Sequence, residues 1–258
     1  MTTSDAPLLA VHALTRRFGG LTAVDQVSLA VAPGTVHAII GPNGAGKTTL
    51  LDLMTGFTKP DSGRVEFAGK DITGTRPHRL PAMGLARTFQ SARLVHTLTV
   101  RENVMLGAYR FTRARFLSDG LRLPRTRREE RASAGRADEL LAFLELEQFA
   151  DTPAADVPAG AQRLVEVARG LATGPDLLLL DEPAAGLDDT ETADLAAALH
   201  AVRAGGISLV VIEHNMELVM TVSDRVTVLD AGKVIADGAP HEVQANPDVI
   251  AAYLGVKP

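Results

Sequence analysis

Residues 41–49 read GPNGAGKTT and constrain the fold of this chain more than any other stretch. They fit the pattern G-x-x-x-x-G-K-[ST] through Gly41, Gly46, Lys47 and Thr48, with Pro42, Asn43, Gly44, Ala45 and Thr49 completing the loop. Glycines at positions 41, 44 and 46 let the backbone turn tightly and aim its N–H groups at phosphate oxygens. Lys47 can reach the β- and γ-phosphates as a point charge, and the Thr48 hydroxyl can ligate Mg²⁺. The apolar run VHAII just before the loop reads as a buried strand. Residues 48–55 read as a helix, whose N-terminus adds a dipole favourable to anions. A chance glycine-rich loop is the competing reading, and the flanking strand and helix argue against it.

At 258 residues the chain suits one large α/β domain, or one core with an inserted lobe. An apolar share of 46% supplies a sizeable core, and a charged share of 22% argues against general disorder. The absence of cysteine excludes disulfides and thiol chemistry and fits a reducing cytosol. The opening MTTSDAPLLAVHAL lacks a basic region followed by a long apolar core, so no signal peptide is expected. No window holds the ~18 apolar residues that a membrane span needs, so membrane association is expected to run through a partner. The net charge of −5 does not suggest a nucleic-acid binder. Residues 110–136 nonetheless carry nine arginines and three acids, a local +6, which leaves 17 basic and 28 acidic residues elsewhere, or −11. That stretch reads as a solvated surface, or more sharply as a contact for anionic lipid headgroups or an acidic partner face.

Residues 8–14 and 24–31 read as strands, and Phe18 is the aromatic between them; it suits either stacking on a base or a place in the core. Residues 64–67 and 86–89 read as further strands, the latter ending at Gln90, a residue type that can ligate Mg²⁺ and report on a γ-phosphate. Residues 99–110 and 137–147 read as helices, with the arginine-rich stretch between them partly loop. Residues 156–173 run from a loop into a helix, with Pro158 suited to its first turn.

Four leucines, 177–180, make a strand buried on both faces, followed by Asp181, Glu182 and Pro183. Acids at the carboxyl end of such a strand sit where open α/β sheets bind ligands. Asp181 is placed to hold Mg²⁺, and Glu182 to polarise an attacking water. A helix-capping role for the acids is the alternative, but Thr190 reads as the cap of the helix over 190–203. Another buried strand, 207–212, delivers Glu213 and His214 to the same sheet edge. Residues 225–229 and 233–236 read as a hairpin around Ala231 and Gly232, and residues 247–254 as a closing helix.

Taken together these motifs resemble the ATP-binding subunit of an ABC transporter over essentially the whole chain. The order carries the resemblance: Phe18 at the base-stacking position, the phosphate loop, Gln90 at the Q-loop, a helical lobe, a signature near residues 157–162, Asp181 and Glu182, a D-loop at Ala185, Gly186, Leu187 and Asp188, and a switch His214. GLARTFQ at 84–90, RLVHTLTVRENVMLG at 93–107, the arginine-rich insertion, IEHNMELVM at 212–220 and AAYLG at 251–255 are similar to the branched-chain amino-acid importer subfamily, whose members also carry other amino acids, amides or urea.

The resemblance implies an α/β fold: a P-loop NTPase core of the ABC type, a mixed sheet with helices plus N-terminal antiparallel strands. The core would hold residues 1–90 and 171–258, with a helical subdomain at 91–170. It implies ATP and Mg²⁺ as ligands, with Thr48, Gln90 and Asp181 at the metal. It implies Glu182 as general base or water-orienting group, His214 as holder of the γ-phosphate and water in line, and Lys47 as phosphate ligand. It implies transmembrane permease subunits as partners at the cytoplasmic face of the plasma membrane, a second ATP-binding subunit joined head to tail, indirectly a solute-binding protein, and no nucleic acid. An exporter ATPase of the lipopolysaccharide type and a soluble non-transport ABC ATPase are the alternatives. One departure stands out. The family signature reads L-S-G-G-Q or L-S-Y-G-Q, and here Val157, Pro158, Ala159, Gly160 and Ala161 align with it. Pro158 has neither the hydroxyl of the serine nor an N–H. Gly160 keeps the close backbone approach. The expected pairing is an asymmetric heterodimer with one weakened site, a homodimer being the alternative.

Overall fold

The computed structural model describes residues 6–88, 94–108 and 124–254. Among them the chain begins with β1 (Leu9–Phe18), β2 (Leu21–Val31), β3 (Val36–Ile40), α1 (Lys47–Met54), β4 (Ser62–Phe67), β5 (Lys70–Asp71) and β6 (Leu85–Arg87). Helices α2 (Val100–Gly107), α3 (Pro124–Phe143) and α4 (Ala159–Ala172) follow, then β7 (Leu177–Asp181), α5 (Asp189–Ala204) and β8 (Ser208–Ile212). The chain closes with α6 (Met216–Val222), β9 (Arg225–Asp230), β10 (Lys233–Gly238), α7 (Pro240–Gln244) and α8 (Pro247–Leu254).

Two sheets result. The first is antiparallel, in the order β2-β1-β4-β5. The second runs β10-β9-β3-β8-β7-β6, parallel except for β10, which pairs antiparallel to β9. Alternation along the parallel strands feeds two layers of core. Leu178, Leu180, Leu209 and Val211 face the layer built with α2 to α5. Leu177, Leu179, Val210 and Ile212 face the layer shared with α1 and the antiparallel sheet. Every residue of β3, β7 and β8 is buried, as expected of parallel strands covered on both faces. A third cluster ties Ala38 and Ile40 to Val219, Val243 and Val249 of the C-terminal helices.

Several boundaries differ from those the apolar pattern predicts. β1 runs on to Phe18 because the hairpin ladder with β2 continues through Arg16 and Arg17 to the pair Phe18 and Leu21. Backbone pairing carries that strand past the end of its apolar residues. The arginine-rich stretch is helical from residue 124, with Pro124 at the first helical position, where its missing N–H costs nothing. Residues 110–123 and the expected Gln90 lie outside the described residues. α3 ends at Phe143, before the predicted 147, and Glu145 beyond it takes a positive φ of 57°. α5 is capped by Asp188 and not by Thr190. The Asp188 side chain accepts from the Glu191 amide at 2.8 Å, and Glu191 accepts from the Asp188 amide at 3.2 Å. Pro158 occupies the cap position of α4, one residue before the first turn. α6 escapes the sequence pattern because it is only seven residues long; the Asn215 side chain caps it at 3.0 Å from the Leu218 amide.

Candidate functional site at the carboxyl edge of the parallel sheet

Three adjacent strands end at one edge. Ile39 of β3 is level with Ile212 of β8, and Asp181 of β7 is level with the same Ile212. The loop 41–46, Asp181 with Glu182, and Glu213 with His214 therefore leave the sheet together. Parallel pairing imposes this convergence, and it is where open α/β sheets place ligands.

The loop after β3 is shaped by its glycines. Gly46 has φ 101° at the N-cap of α1, and a Cβ there would lie 2.3 Å from the Ala23 carbonyl oxygen of β2. Gly44 has φ 82°, and a Cβ there would meet nothing within 4 Å, so this side of the loop is open. Lys47 is buried and donates to the carbonyl oxygens of Gly41 at 2.7 Å and Pro42 at 3.1 Å. Burial pulls its ammonium pKa down, opposed by the charges of Glu182 and Asp181. Lys47 thus senses both acids of β7's end. Thr48, in the first turn of α1, is exposed, and so are Asn43 and Gly44.

Asp181 is 5% exposed. Its Oδ2 accepts from Arg87 Nη2 at 3.0 Å. Its Oδ1 is buried without a hydrogen-bond partner. Burial pushes the carboxyl pKa up, and the Arg87 hydrogen bond and charge oppose that. A buried carboxylate oxygen left unpaired is costly in an apolar setting, and a cation ligand is one way to satisfy it. Glu182 follows with φ 50°, the left-handed region that L-residues seldom occupy. Its amide donates to Ile212 O at 2.9 Å, which pins the strained residue to the neighbouring strand. Such backbone costs about 1–3 kcal/mol and clusters at functional sites.

His214 is well exposed, with Nδ1 3.8 Å from Glu213 Oε2. Glu213, which the sequence places at this edge without a role, is fully buried. Its carboxylate accepts from the amides of Ala184 at 2.7 Å, His214 at 2.9 Å and Asn215 at 3.1 Å. One side chain thereby fastens the turn that carries His214 to the segment following Glu182. Arg163 of α4 adds a further tie, donating to the Ala185 carbonyl at 3.1 Å.

Two predicted residues sit apart from this cluster. Phe18 is 48% exposed at the tip of the β1–β2 hairpin, with the Arg16 guanidinium 4.8 Å from its ring centre, which excludes the core placement. The same hairpin abuts the phosphate loop through Ala23 and Gly46. Gly160 opens α4, and its amide donates to Glu191 Oε1 at 2.8 Å. At the far end of the chain, α8 brings Tyr253 to the Gly41 amide; burial pushes its phenol up, partly offset by that amide.

The family model described as "ABC transporter" matches residues 24–185, and one described as "Branched-chain amino acid ATP-binding cassette transporter" matches residues 233–257. The chain is 42% identical over 250 residues to the high-affinity branched-chain amino acid transport ATP-binding protein BraF of Pseudomonas aeruginosa, covering 96% of this chain and 98% of that one. It is 40% identical to the corresponding LivG of Escherichia coli K12 over the same shares. Among solved structures, a nucleotide-free ATP-binding cassette from an ABC transporter superposes with a TM-score of 0.84 at 34% identity, covering 96% of this chain and 98% of the other. The ADP conformation of an ABC transporter cassette gives 0.85 at 32% identity, covering 97% and 100%.

Proposed function

The chain belongs to the ABC transporter family as an ATP-binding, ATP-hydrolysing subunit, and on that premise we propose that it powers import of branched-chain amino acids or closely related small solutes. The convergence of Lys47, Asp181, Glu182 and His214 at one sheet edge carries the catalytic half of this reading. The match at residues 233–257 and the names of the relatives carry the solute half, and favour import over the exporter and non-transport alternatives.

In this reading the amides of residues 44–49 and Lys47 cradle the ATP phosphates, and Lys47 exchanges the Gly41 and Pro42 carbonyls for phosphate oxygens. The open side of the loop at Gly44 leaves room for them. Phe18 stacks on the base. Asp181, through its unpaired Oδ1, Thr48 and Gln90 hold Mg²⁺. Bound there, Mg²⁺ supplies charge neutralisation on the β- and γ-phosphates. Glu182 orients or deprotonates the attacking water, and His214 holds the γ-phosphate in line. Catalysis is positioning and electrostatics throughout.

The helical subdomain, 91–170, docks transmembrane permease subunits at the cytoplasmic face of the membrane, and a solute-binding protein delivers the solute outside. Two ATP-binding subunits close head to tail, so that Gly160 faces the partner's nucleotide. Pro158 supports a heterodimer in which the other subunit carries an intact signature.

The test is transport. Cells expressing the Glu182→Gln variant in place of the wild type should lose uptake of labelled leucine, isoleucine and valine while keeping lysine uptake. Undiminished branched-chain uptake would overturn the assignment.

A further inference from the structure

Arg87 lies in the GLARTFQ stretch at 84–90 and has no role in the functional reading, yet its guanidinium hydrogen-bonds to Asp52, Thr55 and Asp181 beside the site. It ends β6, beside Leu179 of β7, and its side chain is 8% exposed. Nη2 donates to Asp181 Oδ2 at 3.0 Å. Nη1 donates to Asp52 Oδ1 at 2.6 Å and to Thr55 Oγ1 at 3.1 Å. The Phe57 ring centre lies 5.3 Å from its Cζ. Asp52 and Thr55 belong to α1 and its C-cap, and α1 begins at Lys47. One planar group therefore joins the helix behind the phosphate loop to the acid at the end of β7.

The charge balance matters as much as the geometry. A buried arginine paired with Asp181 alone would cancel the charge that attracts a cation. Asp52 supplies a second carboxylate, so the three groups sum to −1 and Asp181 keeps its attraction for a metal. The fork also selects an oxygen: Oδ2 is held by Arg87, and Oδ1 is left buried and unpaired. A guanidinium bridges two carboxylates in fixed directions, which an ammonium does not do.

We propose that Arg87 is a positioning residue of the Mg²⁺ site: bridging Asp52 and Asp181, it orients Asp181 so that Oδ1 is presented to the metal, and it ties that orientation to the helix of the phosphate loop. The proposal rests on the nucleotide reading given above. It differs from a purely structural ion pair, which would fasten α1 to the sheet without regard to the metal.

The experiment is equilibrium binding of a fluorescent ATP analogue to the full-length chain, in Mg²⁺ and in EDTA. Wild type should bind in both, more tightly with Mg²⁺. Arg87→Lys, which keeps the charge and loses the fork, should leave binding in EDTA unchanged and lose about threefold of the Mg²⁺-dependent gain. Asp52→Asn lies at a partly exposed position and guards against a folding failure at Arg87. It releases Arg87 to neutralise Asp181 and should lower the Mg²⁺-dependent gain about threefold. A parallel loss in Mg²⁺ and EDTA, or an unchanged Mg²⁺ gain, in the variants that fold would overturn the proposal. Failure of wild type to bind in either condition would overturn the nucleotide reading itself, and this proposal with it.

Discussion

Glu191 Oε1 accepts the Gly160 amide at 2.8 Å, so a residue in the first turn of α5 completes the N-terminus of α4. Helix starts need an acceptor for their free N–H groups, and a serine at the cap would supply one. Pro158 occupies that cap and has no hydroxyl. Glu191 stands in for it, while its other oxygen closes the capping box with Asp188. The approach is so close that a Cβ at Gly160 would lie 2.9 Å from Glu191 Cγ.

Glu191→Ala should destabilise the chain by about 1–3 kcal/mol in urea unfolding, since two amides lose their acceptor. Combined with Pro158→Ser the loss should shrink by about 0.5–1 kcal/mol, because the serine restores a local cap. Strict additivity of the two substitutions would show that Glu191 and the cap position are not coupled.

Glu182→Gln should bind ATP as well as wild type and lose about a hundredfold or more in hydrolysis rate. On a sizing column with Mg-ATP, the variant should elute as a dimer when the intact-signature partner subunit is present. If the variant instead dimerises alone, Pro158 does not prevent self-pairing, and the heterodimer reading falls.

Glu213 anchors the segment after Glu182 and the turn holding His214 through three amides. Glu213→Gln replaces one acceptor oxygen with a donor. It should lower kcat about tenfold and leave KM for ATP nearly unchanged, because the misplaced groups act on the reacting water and γ-phosphate. A raised KM with kcat unchanged would instead assign Glu213 to binding.

His37, buried in β3 and hydrogen-bonded to Thr227 Oγ1 at 2.7 Å, has its pKa pushed down by burial to about 4. The unfolded chain takes up that proton near pH 6.5, and the folded chain does not until pH is about 4. This contribution is therefore fully present above pH 6.5 and is lost as pH falls from there to about 4. Between about pH 7.5 and about pH 5 it should remove about 2 kcal/mol of stability, and urea unfolding of His37→Gln should show a correspondingly shallower pH slope. Equal slopes would show that other groups control the acid response.

Much of this protein is visible in one dimension. The glycine spacing of residues 41–46, the four leucines before Asp181, and the strand before His214 are local signals with local causes. Short buried strands, tight turns and the residue types that meet phosphate can each be read within about ten residues, the length of a single strand or turn. Misplaced boundaries had local causes too: β1 outran its apolar pattern because pairing with β2 continued, and Asp188 displaced Thr190 as a cap through its reciprocal bonds with Glu191.

What the sequence determined by itself, then, is the set of chemical groups and the strand ends that carry them. The tertiary structure alone decided which distant groups share a hydrogen bond. Arg87 meets both Asp52 and Asp181, Glu213 meets Ala184, and Glu191 meets Gly160 across 31 positions of sequence. None of these pairings has a periodicity: Arg87 and Glu213 find their partners through the strand order of the parallel sheet and its packing on α1, and Glu191 through the packing of α4 against α5. A buried donor or acceptor must find a partner wherever the fold brings one, and that partner is chosen by proximity in space.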